Sequence, residues 1–513
     1  MDETTPPQEW QHCGTGASGA DPVGCRGVRV GAQRCAAHLS PQERDAWLGG
    51  LGPGADVDLR GTPVTGELLA QVCDRLRPAE GGGPRFGHAD FSEARFTETG
   101  TPVSFAGAVF EGQARFVGAS FRAGREVFFD RVRFAAEVWL DGARVEGVLR
   151  MRQAVFAAPV LVGPLLCTDT VDLTGAAFEG AARLRIAARR VLCADARFEG
   201  PASFQLRYAE LGLAGAHFQQ PSAVGTSRDW ALPGEAEPAR PVTVAVLSLR
   251  GVDASMLLLS DVDLRRCLFA GTHHLDQLRL EGRWDLGQAP SGVRWHRGRP
   301  YWCTKRQVIE EERQWRAIRR RPTSRHDWGD APPSPETVPG LATLTTTYRQ
   351  LRKAREDAKD EPGAADFYYG EMEMRRYSRG RRHAERWLLT VYWAVSGYGL
   401  RASRALAWLA ATMLVTVVAL TAFGLPDTPA RPYPADSRLT GSRPPTLESP
   451  LTARFTAERA GKAVDVVLNS VVFRSGGTQL TRAGGWIEKA ARLTEPALLG
   501  LAVLAVRARL KRG

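Results

Sequence analysis

A period of five residues dominates the stretch between Phe86 and Leu280. A large apolar side chain returns at about every fifth position, and a small residue usually stands two positions before it. This period matches neither an α-helix, at about 3.6 residues per turn, nor a β-strand, which repeats every two residues. Each unit must therefore turn a corner, which predicts a solenoid and excludes most enzyme folds for this stretch. The apolar series begins with Phe86, Phe91, Phe96, Phe105, Phe110, Phe116 and Phe121.

Four such corners would close one coil of about twenty residues, with successive coils hydrogen-bonded about 4.8 Å apart. Every fifth side chain would then point to a narrow axis, where a large residue needs a small neighbour such as Ala89 or Ala94. Between Phe134 and Phe156, steps of five alternate with steps of six. A pair repeat of five plus six residues describes that part better than a strict period of five.

The segments HADFSEARF, AGAVFEGQARF, VGASF and DGARVEG resemble the pentapeptide-repeat family, whose pattern is summarised as A(D/N)LXX. The resemblance implies a right-handed quadrilateral β-helix over residues 85–283. The alternative is a generic β-rich domain with coincidental Phe spacing. Residues 157–170 break the phase, and the Gly- and Pro-rich residues 219–243 predict a surface loop inserted between coils.

The N-terminal part, residues 1–84, carries a set of soft metal ligands with the spacing C-x11-C-x9-C-x2-H. Three thiolates and an imidazole, from Cys13, Cys25, Cys35 and His38, could hold a structural zinc ion in a tetrahedral site. His12 is a spare ligand, and the alternative is a loop-rich cap with free, buried cysteines. Residues 40–77 predict two short helices covering the open end of the solenoid, the first opened by a Ser40–Glu43 capping box.

The net charge of +12 is unevenly placed. Residues 86–282 hold 21 Arg against 23 acidic residues, a net of −2, whereas residues 283–404 hold 25 Lys and Arg against 15 acidic residues, a net of +10. The solenoid is therefore nearly neutral, and the basic excess precedes an apolar segment. Eight cysteines in 513 residues imply no disulfide framework. The first residues, MDETTPPQEW, lack the features of a secretory signal, so a cytosolic start is expected.

Helical patterns follow the repeat. Residues 284–340 contain a charged helix over 303–321 and a Pro-rich linker. Residues 341–400 predict a helical hairpin and, over 387–400, an interfacial aromatic segment near a membrane.

The last region, residues 401–513, contains a strong membrane signal. Residues 405–425 carry no charge and are long enough to cross a bilayer. A second, shorter apolar stretch over 493–506 predicts another crossing or, alternatively, a re-entrant segment, so the count of one or two spans is open. With a moderately apolar helix over 460–473 between them, the order resembles the two-helix pore modules of some bacterial membrane proteins. No filter motif lies between the spans, which favours two anchors over a conducting pore.

Arginines before the first span and after the second indicate that the bulk of the chain is cytoplasmic and that the protein is integral to the cell membrane. No catalytic motif stands out, so an enzyme is not expected. We therefore predict a multi-domain chain, a β-solenoid followed by α-helices and transmembrane helices, that acts as a membrane-anchored scaffold for an unidentified protein partner.

Two alternatives to the scaffold stay open. The first is a two-span channel-like or sensor protein gated by the soluble part, which would need a homo-oligomer. The second, implied by the resemblance, is a DNA mimic that binds a type II topoisomerase. The nearly neutral repeat and the membrane span argue against the mimic, and the charge distribution gives no reason to expect a nucleic-acid partner.

Overall fold

A computed structural model describes most of the chain and divides it into two compact units, Met1–Asp360 and Glu361–Gly513. The first unit contains a β-solenoid of about nine turns built from parallel stacked strands. The second unit is helical. The described residues are 10–30, 33–122, 124–230, 242–296, 299–319, 328, 332, 334–380, 382–427, 431–432, 442–443, 447, 449–472 and 479–510.

The solenoid strands are short, because each ends where the coil turns. In its first half they are Ala55–Asp58, Pro63–Thr65, Arg85–Asp90, Arg95–Thr97, Val109–Phe110, Ala114–Arg115, Ser120–Arg122, Glu126–Phe128, Arg133–Phe134, Val138–Trp139, Arg144–Val145, Val148–Arg150 and Val155–Phe156. In its second half they are Val160–Cys167, Thr170–Asp172, Ala177–Phe178, Ala182–Ala187, Arg190–Leu192, Arg197–Phe198, Ala202–Arg207, Glu210–Gly212, His217–Phe218, Ser222–Thr226, Val244–Ser248, Leu257–Asp263 and Arg279–Asp285.

Between Phe86 and Phe218 the coils shorten along the solenoid. Partners across neighbouring coils are Phe86 with Phe110 and Phe110 with Phe134, so a coil takes 24 residues there. Phe134 pairs with Phe156 across 22 residues, which is two units of five plus six. Only later, as between Phe178 and Phe198, does a coil take the expected 20 residues. The early coils are longer because wider loops separate Phe96 from Phe105 and Phe121 from Phe129.

Stacked phenylalanine rings fill one column of the solenoid core. Consecutive rings lie nearly parallel with centroids 4.6 to 5.2 Å apart, the offset arrangement that aromatic quadrupoles favour. Every ring in this column is buried. The column consists of Phe86, Phe110, Phe134, Phe156, Phe178, Phe198 and Phe218.

The solenoid differs from the sequence expectation at two boundaries. It begins at Ala55 rather than at 85, because Ala55–Asp58 and Pro63–Thr65 stack on the following coil, with Leu59 and Val64 next to Phe91 and Phe96. The loop expected over 219–243 starts later, since Ser222–Thr226 is a strand of the stack. Residues 231–241 lie outside the described part of the chain.

Helices stand at both ends of the solenoid. Helix α1 (Pro41–Gly49) and helix α2 (Gly66–Arg75) are the two predicted short helices, and α1 has the Ser40–Glu43 capping box. The charged helix predicted over 303–321 begins later, as α3 (Glu310–Arg319), and residues 320 and 321 lie outside the described part of the chain. Helix α4 (Leu341–Asp357) follows it. Two antiparallel strand pairs precede α3, namely Gly287–Gln288 with Gln307–Val308 and Gly292–His296 with Arg299–Cys303.

Buried carboxylates of α3 close the last coils. Glu311 Oε1 accepts hydrogen bonds from the backbone N–H groups of Phe269 and Ala270, at 2.5 and 2.7 Å. Glu312 accepts from Arg306 and Arg316 at 2.5 and 2.6 Å, and from the Tyr348 hydroxyl of α4.

The charges around Glu312 keep it ionised despite its burial. Burial alone would raise the pKa of Glu312, but the two guanidinium groups outweigh it and lower the pKa to about 2. The network therefore fixes α4 to the end of the solenoid through charge-assisted hydrogen bonds.

The second unit consists of helices α5 (Glu361–Ser378), α6 (Ala384–Ser396), α7 (Ala402–Ala419), α8 (Ala457–Val472) and α9 (Arg482–Leu510). A π-helical turn, Leu420–Gly424, extends α7, and the two short strands Arg431–Pro432 and Ser442–Arg443 pair. The hairpin predicted over 341–400 stays a prediction, because α4 ends the first unit and α5 begins the second.

Within the described residues, one helix is long and apolar enough to cross a membrane, Ala402–Gly424, with a mean hydropathy of 2.1. It contains most of the span predicted over 405–425. The shorter span predicted over 493–506 lies inside α9, which continues through Pro496. A second crossing therefore stays a prediction.

The phenylalanine column makes a direct stability prediction. Phe156→Ala should lower the free energy of unfolding by about 3 to 5 kcal/mol, because it opens a cavity between two stacked rings. Urea unfolding of the detergent-solubilised chain, followed by the circular dichroism of the β-sheet, measures the change. The control is Trp139→Ala on the outer wall, where 37% of the residue is exposed and a smaller loss is expected. Equal losses would contradict a core held by the column.

Candidate metal centre

Three thiols and one imidazole meet at a single point in the N-terminal part of the first unit. The ligand atoms of Cys13, Cys25, Cys35 and His38 all lie within 4.8 Å of one another. These are the four residues that the sequence proposed as zinc ligands. The spare ligand His12 is outside the group and instead pairs through its backbone with Val28.

The distances suit a tetrahedral metal ion. Cys25 Sγ lies 3.7 Å from Cys35 Sγ, and His38 Nδ1 lies 3.6 Å from Cys13 Sγ and 3.3 Å from Cys35 Sγ. A tetrahedron with zinc–sulfur bonds of about 2.3 Å has edges of about 3.8 Å. The four atoms therefore need little movement to coordinate one ion, with Nδ1 as the imidazole ligand.

Local backbone contacts bring the ligands together. The N–H of Cys13 donates to the carbonyl of Gly27, and the N–H of Gly14 donates to the carbonyl of Cys25, so the first two cysteines share a tight double-stranded loop. Cys35 precedes the 3-10 turn Ala36–His38 and His38 ends it, which brings the two side chains within 3.3 Å of each other. The irregular sequence spacings thus converge through a loop and a turn.

Gly27 is a part of this site that the sequence analysis did not identify. A Cβ atom on Gly27 would lie 2.7 Å from Cys35 Cβ and 2.9 Å from Cys35 Sγ, closer than nonbonded atoms can approach. The neighbouring Val28 N–H donates to the carbonyl of Arg60 in the first coil. The site therefore lies against the start of the solenoid, and its only sequence signal was a glycine two residues after Cys25.

Burial and the closeness of the three thiols to one another shift their pKa values. Burial, and then the neighbouring Cys25 and Cys13, raise the pKa of Cys35 to about 12. Burial also raises the pKa of Cys25. For Cys13, burial is outweighed by hydrogen bonds from the Thr15 hydroxyl and the backbone, and its pKa falls to about 6. A divalent cation among them would reverse this repulsion and stabilise all three thiolates.

The remaining cysteines are buried singly and do not join this group. Burial raises the pKa of Cys73 to about 12 and of Cys167 to about 11, as expected for inert core thiols. The arrangement of the four ligands leaves no open coordination position, so it suits a structural ion rather than a catalytic one.

Comparison with known proteins gives no further assignment. No protein-family model, no curated protein and no solved structure matches this chain. The geometry of the chain itself must therefore support any functional proposal.

Loss of one ligand should remove the metal. Cys35→Ser should abolish binding of zinc to the full chain, because Cys35 contacts two other ligand groups of the cluster. The measurement is the zinc content of the purified protein after dialysis against a weak chelator. Cys73→Ser removes a buried thiol outside the cluster and should keep the zinc. Equal zinc content in both variants would contradict the assignment.

Gly27→Ala offers an independent test that leaves every ligand in place. The added methyl group would push Cys35 away, so the zinc affinity should fall although no donor atom is lost. A competition titration with a chromophoric zinc chelator measures the change. An affinity equal to that of the wild type would contradict the close approach of Gly27 to Cys35.

Proposed function

We propose that this chain is a membrane-anchored, non-catalytic scaffold that binds a protein partner on the cytoplasmic face of the cell membrane. The observation that carries the anchor is the exposed apolar surface of the long apolar helix Ala402–Gly424. We further assign the solenoid to the pentapeptide-repeat type of β-helix, on the strength of its repeated sequence segments.

The outer surface of α7 is apolar. Leu414 and Val415 are 64% and 67% exposed, and Leu406, Trp408 and Val418 are also exposed. An apolar belt of this extent is unusual on a monomer in water and suits contact with lipid. The buried face of the same helix instead includes the polar Thr416.

Helix α9 continues the same pattern. Leu493, Val503 and Leu504 are exposed, whereas Glu495 is buried. The helix packs antiparallel to α7, since Gly484 lies against Gly424 near one end and Glu495 contacts Thr416 further along. This packing supports a second crossing by α9, with flanking arginines such as Arg404 and Arg507 on the cytoplasmic side.

One wall of the solenoid has the composition of a protein interface. Arg115, Trp139, Leu161 and Arg183 follow one another across neighbouring coils in register. Trp139 is exposed next to Arg115, and Leu161 separates it from Arg183. We call this column of four residues the Trp139 wall. Tryptophan and arginine are the residues that most often dominate binding energy, and a stacked sheet holds them rigidly.

The metal centre and α1 fit this function as a cap. A zinc ion held by the four ligands would fix the N-terminal loops against the first coil and keep its exposed strand edges covered.

The alternative of a gated channel stays a prediction. Helix α8 coincides with the predicted pore helix, but residues 473–478, which follow it, lie outside the described part of the chain.

The anchor is tested by charge on the apolar belt. The double variant Leu414→Arg and Val415→Arg should shift the chain from the carbonate-resistant membrane fraction to the soluble or aggregated fraction, because each arginine costs several kcal/mol inside a bilayer. The matched control places two arginines at the exposed solenoid positions Val117 and Trp139 and should leave fractionation unchanged. A belt variant that stays in the membrane fraction after carbonate extraction would contradict the anchor.

Deletion of residues 405–513 should release the chain completely from the membrane fraction.

The binding wall is tested by site-specific photo-crosslinking in intact cells. A photoreactive residue at position 139 should give a discrete protein adduct, and the same residue at position 144, on another wall, should give none. Adding Arg183→Glu should reduce the adduct about thirtyfold, which corresponds to the roughly 2 kcal/mol of a binding hot spot. Equal adducts at both positions would contradict a role of the Trp139 wall.

A further inference from the structure

A glutamate lies fully buried between two helices of the second unit. The exposed fraction of Glu495 in α9 is 0%. Its Oε1 atom lies 3.1 Å from Thr416 Oγ1 in α7, and its Oε2 atom is buried with no hydrogen-bond partner among the described residues. An ionised carboxylate with one oxygen entirely unsatisfied is among the costliest groups to bury.

No described cation neutralises Glu495. The nearest arginine on its own helix, Arg492, forms an ion pair with Glu488 at 2.6 Å, and Lys489 lies over the Trp486 ring. Helix α7 carries one charged residue, Arg404, which donates to the Trp393 carbonyl. In α8, Glu458 pairs with Lys462, Arg459 pairs with Asp427, and Asp465 is exposed. In α6, Glu385 pairs with Arg375 and Arg379, and Arg386 donates to the Arg379 carbonyl.

The hydroxyl of Thr416 has a single proton and two oxygen neighbours. Besides Glu495 Oε1, it lies 2.9 Å from the carbonyl oxygen of Thr412, one turn earlier in α7. If Glu495 were ionised, both neighbours would be acceptors and only one could receive the proton. If Glu495 carries a proton on Oε1, it donates to Thr416 Oγ1, and Thr416 donates to Thr412. Every polar atom of this hydrogen-bonded series then has a partner except Glu495 Oε2, which is a neutral carbonyl oxygen in the protonated acid.

We propose that Glu495 and Thr416 form a proton-binding site between α7 and α9, in which Glu495 is protonated at neutral pH. The ligand is a proton rather than a metal cation, because two oxygen atoms fall far short of the six or so that a hard cation takes. Release of the proton would place an unpaired charge between the two helices and weaken their packing. The site therefore couples the pH of its surroundings to the α7–α9 contact.

Infrared difference spectroscopy of the full chain in lipid vesicles tests the protonation state. At neutral pH the wild type should show the C=O stretch of a protonated carboxylic acid that is lost in Glu495→Gln. The control Glu488→Gln, on the same helix but in an ion pair, should instead lose intensity in the carboxylate region. If Glu495→Gln also lost only carboxylate intensity, the proposal would be overturned.

A second variant covers the case in which Glu495→Gln does not fold. Thr416→Val keeps the shape of the side chain but removes the acceptor, so the carboxylic acid band should shift to higher frequency. Raising the pH should remove the band from the wild type. It should also lower the free energy of unfolding of the wild type, because the folded state binds a proton that the unfolded chain releases. A band unmoved by Thr416→Val would contradict the proposed contact.

This inference rests on the proposed membrane location only for the apolar surroundings of the helix pair. The two proposals fail separately. A chain that fractionates as soluble but keeps the carboxylic acid band disproves the anchor alone, and a membrane-bound chain without the band disproves the proton site alone.

Discussion

Contact between aromatic rings along one axis holds the coils between Phe86 and Phe218 together. Each coil contributes only short strands, which could not persist alone, and successive coils stabilise one another through backbone ladders and stacked rings. A ring such as Phe156 contacts the rings of both neighbouring coils, so its burial depends on its neighbours being in register. Along this column the coil length can therefore vary from 24 to 20 residues, because wider loops accommodate the extra residues while the rings stay aligned.

A stack of this kind has two open ends, and this chain closes them by different chemistry. At the N-terminal end, a small loop region with little core of its own brings together three thiols and an imidazole against the first coil. At the C-terminal end, Glu311 satisfies two backbone N–H groups of a late coil, and Glu312 draws in two arginines and a tyrosine. Both caps replace the missing neighbour coil with strong polar contacts, which a thin cap can supply more easily than apolar area.

The sequence predicted the parts of this structure that repeat or that carry unusual chemistry. Phenylalanines at regular spacing indicated the solenoid, and the ligand types of Cys13 and His38 indicated their cluster. The first coil escaped prediction because Leu59 and Val64 occupy the positions that phenylalanine fills in the next coil. Gly27 and Glu495 escaped for another reason. Their roles depend on the approach of one residue to another, Gly27 to Cys35 and Glu495 to the distant Thr416, which no local pattern encodes.

The α7–α9 pair buries a polar contact beneath an apolar outer surface, and this contrast with the solenoid explains why Glu495 matters. In the solenoid, phenylalanines point inward and charged residues such as Arg115 point outward, as expected in water. In the α7–α9 pair, leucines and valines such as Leu414 and Val503 are exposed, whereas the polar pair Thr416 and Glu495 is buried. If the pair lies in lipid, as we propose, no water competes for this polar contact, and the contact then specifies which faces meet. A single proton can then decide whether that contact is made, because its loss leaves a charge with neither water nor a cation beside it.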